Sequence, residues 1–467
     1  MAIGVIATEN GYECTVRGLN YDLEKANHEY IFYYGSYSVP FPDTQNYYAV
    51  LDDDLNIQHY WFLEDRHLRT NIFSLEGIED LRLFDWKGER YTHDKIRIGY
   101  VGDSFREQAT SYLTVGMFEH HDKSRFEIYA FDNGGGDGGT MRRRLEAAFD
   151  RFVDIGPLPD ADAAAAIRRC EIDILVNLNG YFGKDRTGVF ALRPAPLQVN
   201  YLGFPATLGA SYFDYIVADE IVIPREHEPF YVEKISWLPE CYQSNDDKRP
   251  IAAVPPTRAQ AGLPDDAFVF CCFNNSYKFT PATFDTWMRI LGQVPNSVLW
   301  ILESNKALAP NLKHEAEARG VSGDRIVFAP FVKPEEHLAR QRLADLFLDS
   351  LPYNAHTTAA DALWGGLPLL TCTGSAFPGR VATSLLTALH LPELITRSTE
   401  EFEKTAITLA QDKSRLAAIR AKLAENRTRA PLFNTARFTR HIESAYEMMC
   451  ALARAGTPQS FAVPPLS

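Results

Sequence analysis

His356, Thr357 and Thr358 stand together where a loop turns into a helix, and Asp361 follows one helical turn after Thr357. Free backbone N–H groups and the positive end of a helix dipole make such a start an anion site. Two hydroxyls and an imidazole add donors that suit a diphosphate. The Asp361 carboxylate faces the same way; it repels phosphate but accepts well from ribose hydroxyls. A threonine N-cap followed by an ordinary first-turn acid has the same local pattern, so both readings stand at this point. His337 and Arg340 share a helix face behind Pro334, Glu335 and Glu336, which by itself reads as a solvated surface.

The elements that hold the first cluster are legible in Asp345 to Leu370. Leu346 to Asp349 is a short apolar run before Ser350 and Pro352, and Leu367 to Thr371 is another behind Gly365 and Gly366. Two parallel strands joined by a crossover helix fit this pattern. Upstream, Ile96 to Val101 with Gly102 opens a nucleotide-type α/β domain, continued by strands at Phe126 to Phe131, Ile172 to Leu178, Leu197 to Tyr201 and Tyr215 to Ala218. Ligands gather at the carboxyl ends of such strands. Pro239 to Pro256, with Asn245, Asp246, Asp247 and Lys248, reads as a polar linker. A second α/β unit follows. Phe268 to Phe273 is its first strand, Thr280 and Pro281 cap the next helix, and Ser398 with Glu401 forms a capping box. The expected domains are 1–95, a small β-containing extension; 96–250; 257–455; and a tail, 456–467. Residues 1–95 contain no repeat with a period of about 34 residues, so a tetratricopeptide array is not expected.

A chain of 467 residues, 46% hydrophobic and 23% charged, has globular composition. Its net charge of −14 argues against nucleic acid as a partner, because a phosphate backbone is held by clustered Lys and Arg. Any anionic substrate must meet locally placed positive groups. Seven cysteines without a CxxC pair suggest reduced thiols and a cytoplasmic protein; no signal peptide or membrane span is expected. The histidines do not fall into ligand spacings with acids, so no metal or other cofactor is expected.

The segments Phe190 to Gly209 (FALRPAPLQVNYLGFPATLG), Phe273 to Thr280 (FNNSYKFT), Pro295 to Trp300 (PNSVLW), His356 to Trp364 (HTTAADALW) and Pro431 to Phe438 (PLFNTARF) resemble, in this order, the catalytic region of the O-GlcNAc transferase and SPINDLY family. The likeness extends from Ile96 to Ala453. It implies a GT-B fold, two Rossmann-like domains facing a cleft, and an inverting transfer of a sugar from a nucleotide donor to Ser or Thr of a protein or peptide acceptor. By matching position it implies that Lys278 contacts the donor diphosphate and, with the helix end at His356, stabilises the departing nucleotide. It further assigns His337 to the base, Arg340 to its neighbourhood, Asp361 to the ribose and Asn275 to the donor side. Leu202, Gly203 and Pro205 match the segment near the sugar and acceptor.

The departures fall on the acceptor half. Where the family pattern holds a histidine before Thr-Ser, this chain has Gln108 before Ala109, Thr110 and Ser111, and glutamine cannot act as a base. Cys170 stands where an aspartate is usual, Asp173 where a histidine is, and Lys333 with Pro334 replaces a lysine before Glu335. This leaves open a different acceptor, a base supplied by the donor phosphate, or reduced activity. UDP-GlcNAc is the expected donor, since the fucose-transferring branch resembles TTTTCE at HTTAAD. GDP-fucose is the same-class alternative. A nucleotide-sugar epimerase or a non-catalytic nucleotide-sugar-binding protein is the alternative of another class. Target selection is expected to rest with residues 1–95.

Overall fold

The computed structural model describes residues 91–466 in full and, before them, the backbones of seven strands. By contact the chain divides into two compact units, one of residues 1–91, 158–170 and 186–196, the other of 92–157, 171–185 and 197–467. In the first, strands Ala2–Thr8 (β1), Gly11–Leu19 (β2), Asp22–Ala26 (β3), Glu29–Tyr34 (β4), Tyr37–Ser38 (β5), Thr44–Leu51 (β6) and Ile57–Phe62 (β7) form two antiparallel sheets, ordered β1-β2-β6-β7 and β3-β4-β5. With helices counted from Ala109–His120 (α1) and Thr140–Ala148 (α2), this unit also holds Asp160–Arg169 (α3) and Thr187–Ala191 (α4). Residues 63–90, and with them part of the expected extension, lie outside the described residues.

The second unit contains two parallel sheets. One is built from Ile96–Gly102 (β8), Phe126–Asp132 (β9), Arg151–Asp154 (β10), Ile174–Asn177 (β11), Leu197–Asn200 (β12), Tyr215–Asp219 (β13) and Lys234–Leu238 (β14), ordered β10-β9-β8-β11-β12-β13-β14. The other is Phe268–Cys272 (β15), Ser297–Leu302 (β16), Ile326–Ala329 (β17), Leu346–Leu348 (β18), Leu369–Cys372 (β19) and Ile395–Thr396 (β20), ordered β17-β16-β15-β18-β19-β20. Both orders reverse direction beside their first strand, β8 against β11 and β15 against β18, which creates a crevice at the carboxyl ends there. Central strands such as ILVN in β11 are buried throughout, as expected for parallel sheets covered on both faces. Helices Pro281–Gln293 (α5), Leu308–Ala318 (α6), Pro334–Arg340 (α7), Thr357–Gly365 (α8), Val381–Ala388 (α9), Thr399–Gln411 (α10) and Lys413–Arg429 (α11) accompany the second sheet. The cap residues behave as their types predict. Thr280 accepts from Thr283 N at 3.1 Å, and Ser398 accepts from Glu401 N at 3.2 Å. Glu401 reaches back one residue beyond the expected box, accepting from Arg397 N at 2.8 Å rather than from Ser398 N.

Two parts of the chain differ from the sequence reading. Residues 435–455, expected within the second domain, form helix Thr435–Ala455 (α12), whose Phe438, Ile442, Ala445, Tyr446 and Met449 pack in the core of the first sheet. Phe461–Ala462 (β21), in the expected tail, pairs with β14 and completes that sheet. The segment read as a polar linker is also buried in its first half: Asn245 and Asp246 lie inside, whereas Lys248 and Val254 are exposed. Arg144 grips Asp246 with two hydrogen bonds of 2.6 and 2.9 Å, and Thr435 donates to the Asn245 carbonyl at 2.6 Å. A charge buried with a bidentate partner is retained at low cost, whereas removing Arg144 alone would cost about 3–5 kcal/mol. The buried cysteines Cys241, Cys271, Cys272, Cys372 and Cys450 form no disulfide, and no described helix is long and apolar enough to cross a membrane.

Candidate functional site

The loops after β8, β11, β12, β14, β15 and β18 enclose a cavity of about 240 Å³. It brings together eight of the residues singled out in the sequence: Gln108, Leu202, Gly203, Asn275, Lys278, His356, Thr357 and Thr358. Pro205, His337, Arg340 and Asp361 do not line it.

The loop from Asp349 to His356 fixes the second-sheet side. Buried Asp349 accepts from Ser350 N at 2.8 Å, Ala355 N at 2.6 Å and the Thr371 hydroxyl at 2.6 Å, tying the loop to β19. A chain of donors runs beside it. Thr358 donates its hydroxyl to Asn274 Oδ1, Asn274 Nδ2 donates to Ser350 Oγ at 2.8 Å, and Ser350 donates to the Tyr353 carbonyl at 2.8 Å. The helix these residues start ends at Gly366, whose φ of +86° is the left-handed closing position that favours glycine.

Lys278 lies 4.1 Å over the Tyr353 ring, and its Nζ donates to the Asn354 carbonyl at 2.8 Å. Burial pushes its ammonium down to about 8, while Asp349 and Cys272 pull it back. Burial pushes the Asp349 carboxyl up to about 6, against its hydrogen bonds and the attraction of Lys278. Near neutrality this leaves Lys278 charged, with two of its three N–H donors uncommitted. A dianion arriving in the cavity strengthens that state.

His356 is placed as expected, at the N-cap of α8, but its chemistry differs. Its Nε2 is 3.0 Å from the Pro378 carbonyl, which can only accept. The ring stacks on Tyr353 at 4.8 Å, and burial beside Lys278 pushes it down to about 3. The imidazole is therefore neutral with its proton on Nε2, and Nδ1 offers a lone pair. In this arrangement its Nε2–H is committed to the Pro378 carbonyl and the Thr358 hydroxyl to Asn274. What remains is the Thr357 hydroxyl and the first backbone N–H groups of α8, which have no partner within the helix.

Asn275 sits at the start of the Lys278 turn, accepting from Lys278 N at 3.0 Å. His337 and Arg340 are not on a solvated face. Arg340 is buried, donates to the Pro330 carbonyl at 2.6 Å and lies 5.0 Å over the Phe273 ring. It lies 2.6 Å from His337 Nδ1, and burial pushes that histidine down to about 4, so the ring is neutral. Asp361 is buried and accepts from Arg249, a pairing the sequence reading missed. Asp349 was missed as well.

The first-sheet side is built differently. Gln108 caps α1, its Oε1 accepting from Thr110 N at 2.8 Å. Leu202 has φ +75°, a conformation uncommon for leucine, and stands where β12 turns into the cavity. Gly203 follows because nothing larger fits: a Cβ there would lie 2.0 Å from the Leu178 carbonyl oxygen. Buried Pro205 backs this turn. Asp173 accepts from Arg97 N at 2.8 Å, and Lys333 is the exposed N-cap of α7; neither lines the cavity.

Comparison with known proteins agrees with this architecture. The family model for Glycosyl transferase family 41 matches residues 72–254 and 244–442. An Arabidopsis thaliana protein named "Probable UDP-N-acetylglucosamine--peptide N-acetylglucosaminyltransferase SEC" is 39% identical over 376 residues, 79% of this chain and 38% of its own length. A Caenorhabditis elegans UDP-N-acetylglucosamine--peptide N-acetylglucosaminyltransferase is 30% identical, over 78% of this chain and 41% of its own. The chain thus spans about two fifths of the length of these curated relatives. Among solved structures, a mutant of the Thermobaculum terrenum O-GlcNAc transferase superposes with a TM-score of 0.72 at 32% identity, covering 78% of this chain and 69% of that one. The paired parallel sheets are the GT-B fold.

Proposed function

Because the chain belongs to glycosyl transferase family 41, we propose that it is an inverting glycosyltransferase that moves GlcNAc from UDP-GlcNAc to Ser or Thr hydroxyls of protein acceptors. The observation that carries this reading is the convergence of the Lys278 ammonium and the α8 N-terminus, with Thr357, on one cavity. As the bond to the anomeric carbon breaks, negative charge grows on the departing diphosphate. A fixed ammonium and a helix end already aimed there stabilise that charge without reorganising. These groups supply the positive charge that a divalent ion supplies elsewhere, so turnover is expected to survive EDTA.

The second sheet then carries the donor side and the first the acceptor side. His337 and Arg340 are assigned to the nucleotide base, Asn275 to the donor side, Asp361 to the ribose, and Leu202, Gly203 and Pro205 to the sugar and acceptor. The His356 Nδ1 lone pair suits a sugar hydroxyl or amide N–H. No carboxylate lines the cavity and Gln108 cannot take a proton, so the acceptor hydroxyl is assigned a phosphate oxygen of the donor as its base. Free buried thiols fit a reducing compartment such as the cytoplasm.

Incubation with labelled UDP-GlcNAc and a Ser/Thr peptide library is expected to label peptide with release of UDP. Labelling from GDP-fucose instead would move the assignment to fucose transfer. Gln108 favours one second reading, nucleotide-sugar binding without chemistry; donor binding with neither transfer nor hydrolysis would establish it.

A further inference from the structure

Arg249 has no part in the transfer just described, yet its guanidinium donates to the Asp361 carboxylate. Both side chains belong to residues that are 9% exposed. Two further contacts hold the arginine in place. Trp364, on α8, donates its Nε1 to the Arg249 carbonyl at 3.1 Å. The guanidinium lies 5.2 Å over the ring of Tyr112, on α1. Tyr112 is itself anchored by donating to Glu107 at 2.5 Å. A residue of the segment that crosses from the first sheet to the second is thus clamped between a helix of each and points its charge at Asp361.

The bond to Arg249 takes Asp361 Oδ1 and leaves Oδ2 open. Asp361 is one turn from Thr357, so an unpaired carboxylate here would oppose a diphosphate bound at the helix start. We propose that Arg249 is a positioning residue for donor recognition: it cancels the charge of Asp361 toward the diphosphate and fixes the carboxylate so that Oδ2 accepts from the nucleotide's ribose hydroxyls. This rests on the reading of the cavity as a nucleotide-sugar site. It makes ribose selection depend on a residue outside the donor-binding helix.

The test compares UDP with 2′,3′-dideoxy-UDP by calorimetry on the native protein and on R249M, R249K and the double variant R249M/D361N, with each variant's Tm as a folding check. The native protein is expected to prefer UDP by at least about tenfold, the worth of one hydrogen bond to a charged group. R249M should reduce that preference to nearly one and weaken dideoxy-UDP as well, through the uncovered carboxylate. R249K, which keeps the charge without the fork, should restore dideoxy-UDP affinity but not the full preference. The double variant removes both charges, so it is expected to fold and to regain dideoxy-UDP affinity over R249M. An unchanged preference for UDP in folded R249M and R249K overturns the inference, as does a native protein that binds both nucleotides equally. Failure of the native protein to bind UDP, UDP-GlcNAc or GDP-fucose would instead sink the underlying nucleotide-sugar reading, and this inference with it.

Discussion

The two sides of the cavity are made from unlike chemistry. From the second sheet come a buried ammonium, a neutral imidazole and a helix start, backed by a buried carboxylate, with hydrogen-bond partners in the loop from Asp349 to His356, on β19 and at Pro378. From the first come an amide that caps a helix, a strained leucine and a glycine pressed against backbone. One side manages charge and the other manages shape. On the proposed reading, the cavity assists charge development on the leaving group rather than proton abstraction by the protein.

The contrast can be broken most severely at Lys278. Lys278→Ala should lower kcat about 100- to 1,000-fold, the typical loss of one preorganised donor to a developing anion, with a much smaller change in UDP affinity. A loss of UDP affinity with kcat unchanged would make Lys278 a binding group only. On the shape side, Gly203→Ala forces a methyl against the Leu178 carbonyl, and a loss of about 3 kcal/mol or more, read as a fall in Tm, is expected. A stable, active G203A would mean that this turn has room to move.

Asp349→Asn tests how the charge is kept. Free-enzyme kcat/KM should fall as pH rises through about 8, where Lys278 loses its proton, and D349N, lacking the attraction that holds the proton on, should move that fall to lower pH. The stability sign follows from Asp349 itself. Its carboxyl is raised to about 6 in the fold, above an unfolded value of about 4, so its protonated form favours folding and stability declines as pH rises from about 4 to about 6. D349N should flatten that slope, and a slope that persists would assign it to another group. The smallest effect is expected at Gln108→Ala, about 1 kcal/mol of stability from the lost cap. The pH dependence of kcat should be unchanged, whereas a lost ionisation would give Gln108's neighbourhood a base after all.

How much of this was readable from the sequence depended on distance along the chain. The strand, loop, helix and strand around His356 came from local pattern, and β18, α8 and β19 follow it within a residue or two. The motif resemblance gathered Lys278, Thr357, Gln108 and Gly203 before any geometry did. Local pattern failed where a residue's partner is remote. Arg249 and Asp361 are 112 positions apart, so neither betrays the other, and Asp246 reads as surface until Arg144, 102 positions away, is placed on it. The Lys278 and Asp349 relation spans β15 to β18 and has no spacing to detect. Strand β14 escaped notice because it is five residues long between Glu233 and Pro239, and β10 because half of it is exposed.

The return of α12 and β21 to the first sheet sets how the molecule could be taken apart. One cleavage in the crossing near residue 255 would leave the leading fragment without a helix of its core and without its edge strand, while the trailing fragment would carry an orphaned greasy helix. Recovering each lobe as a soluble piece would take two scissions, the second just before Thr435, and the last thirty-odd residues would have to be sewn back onto the front half.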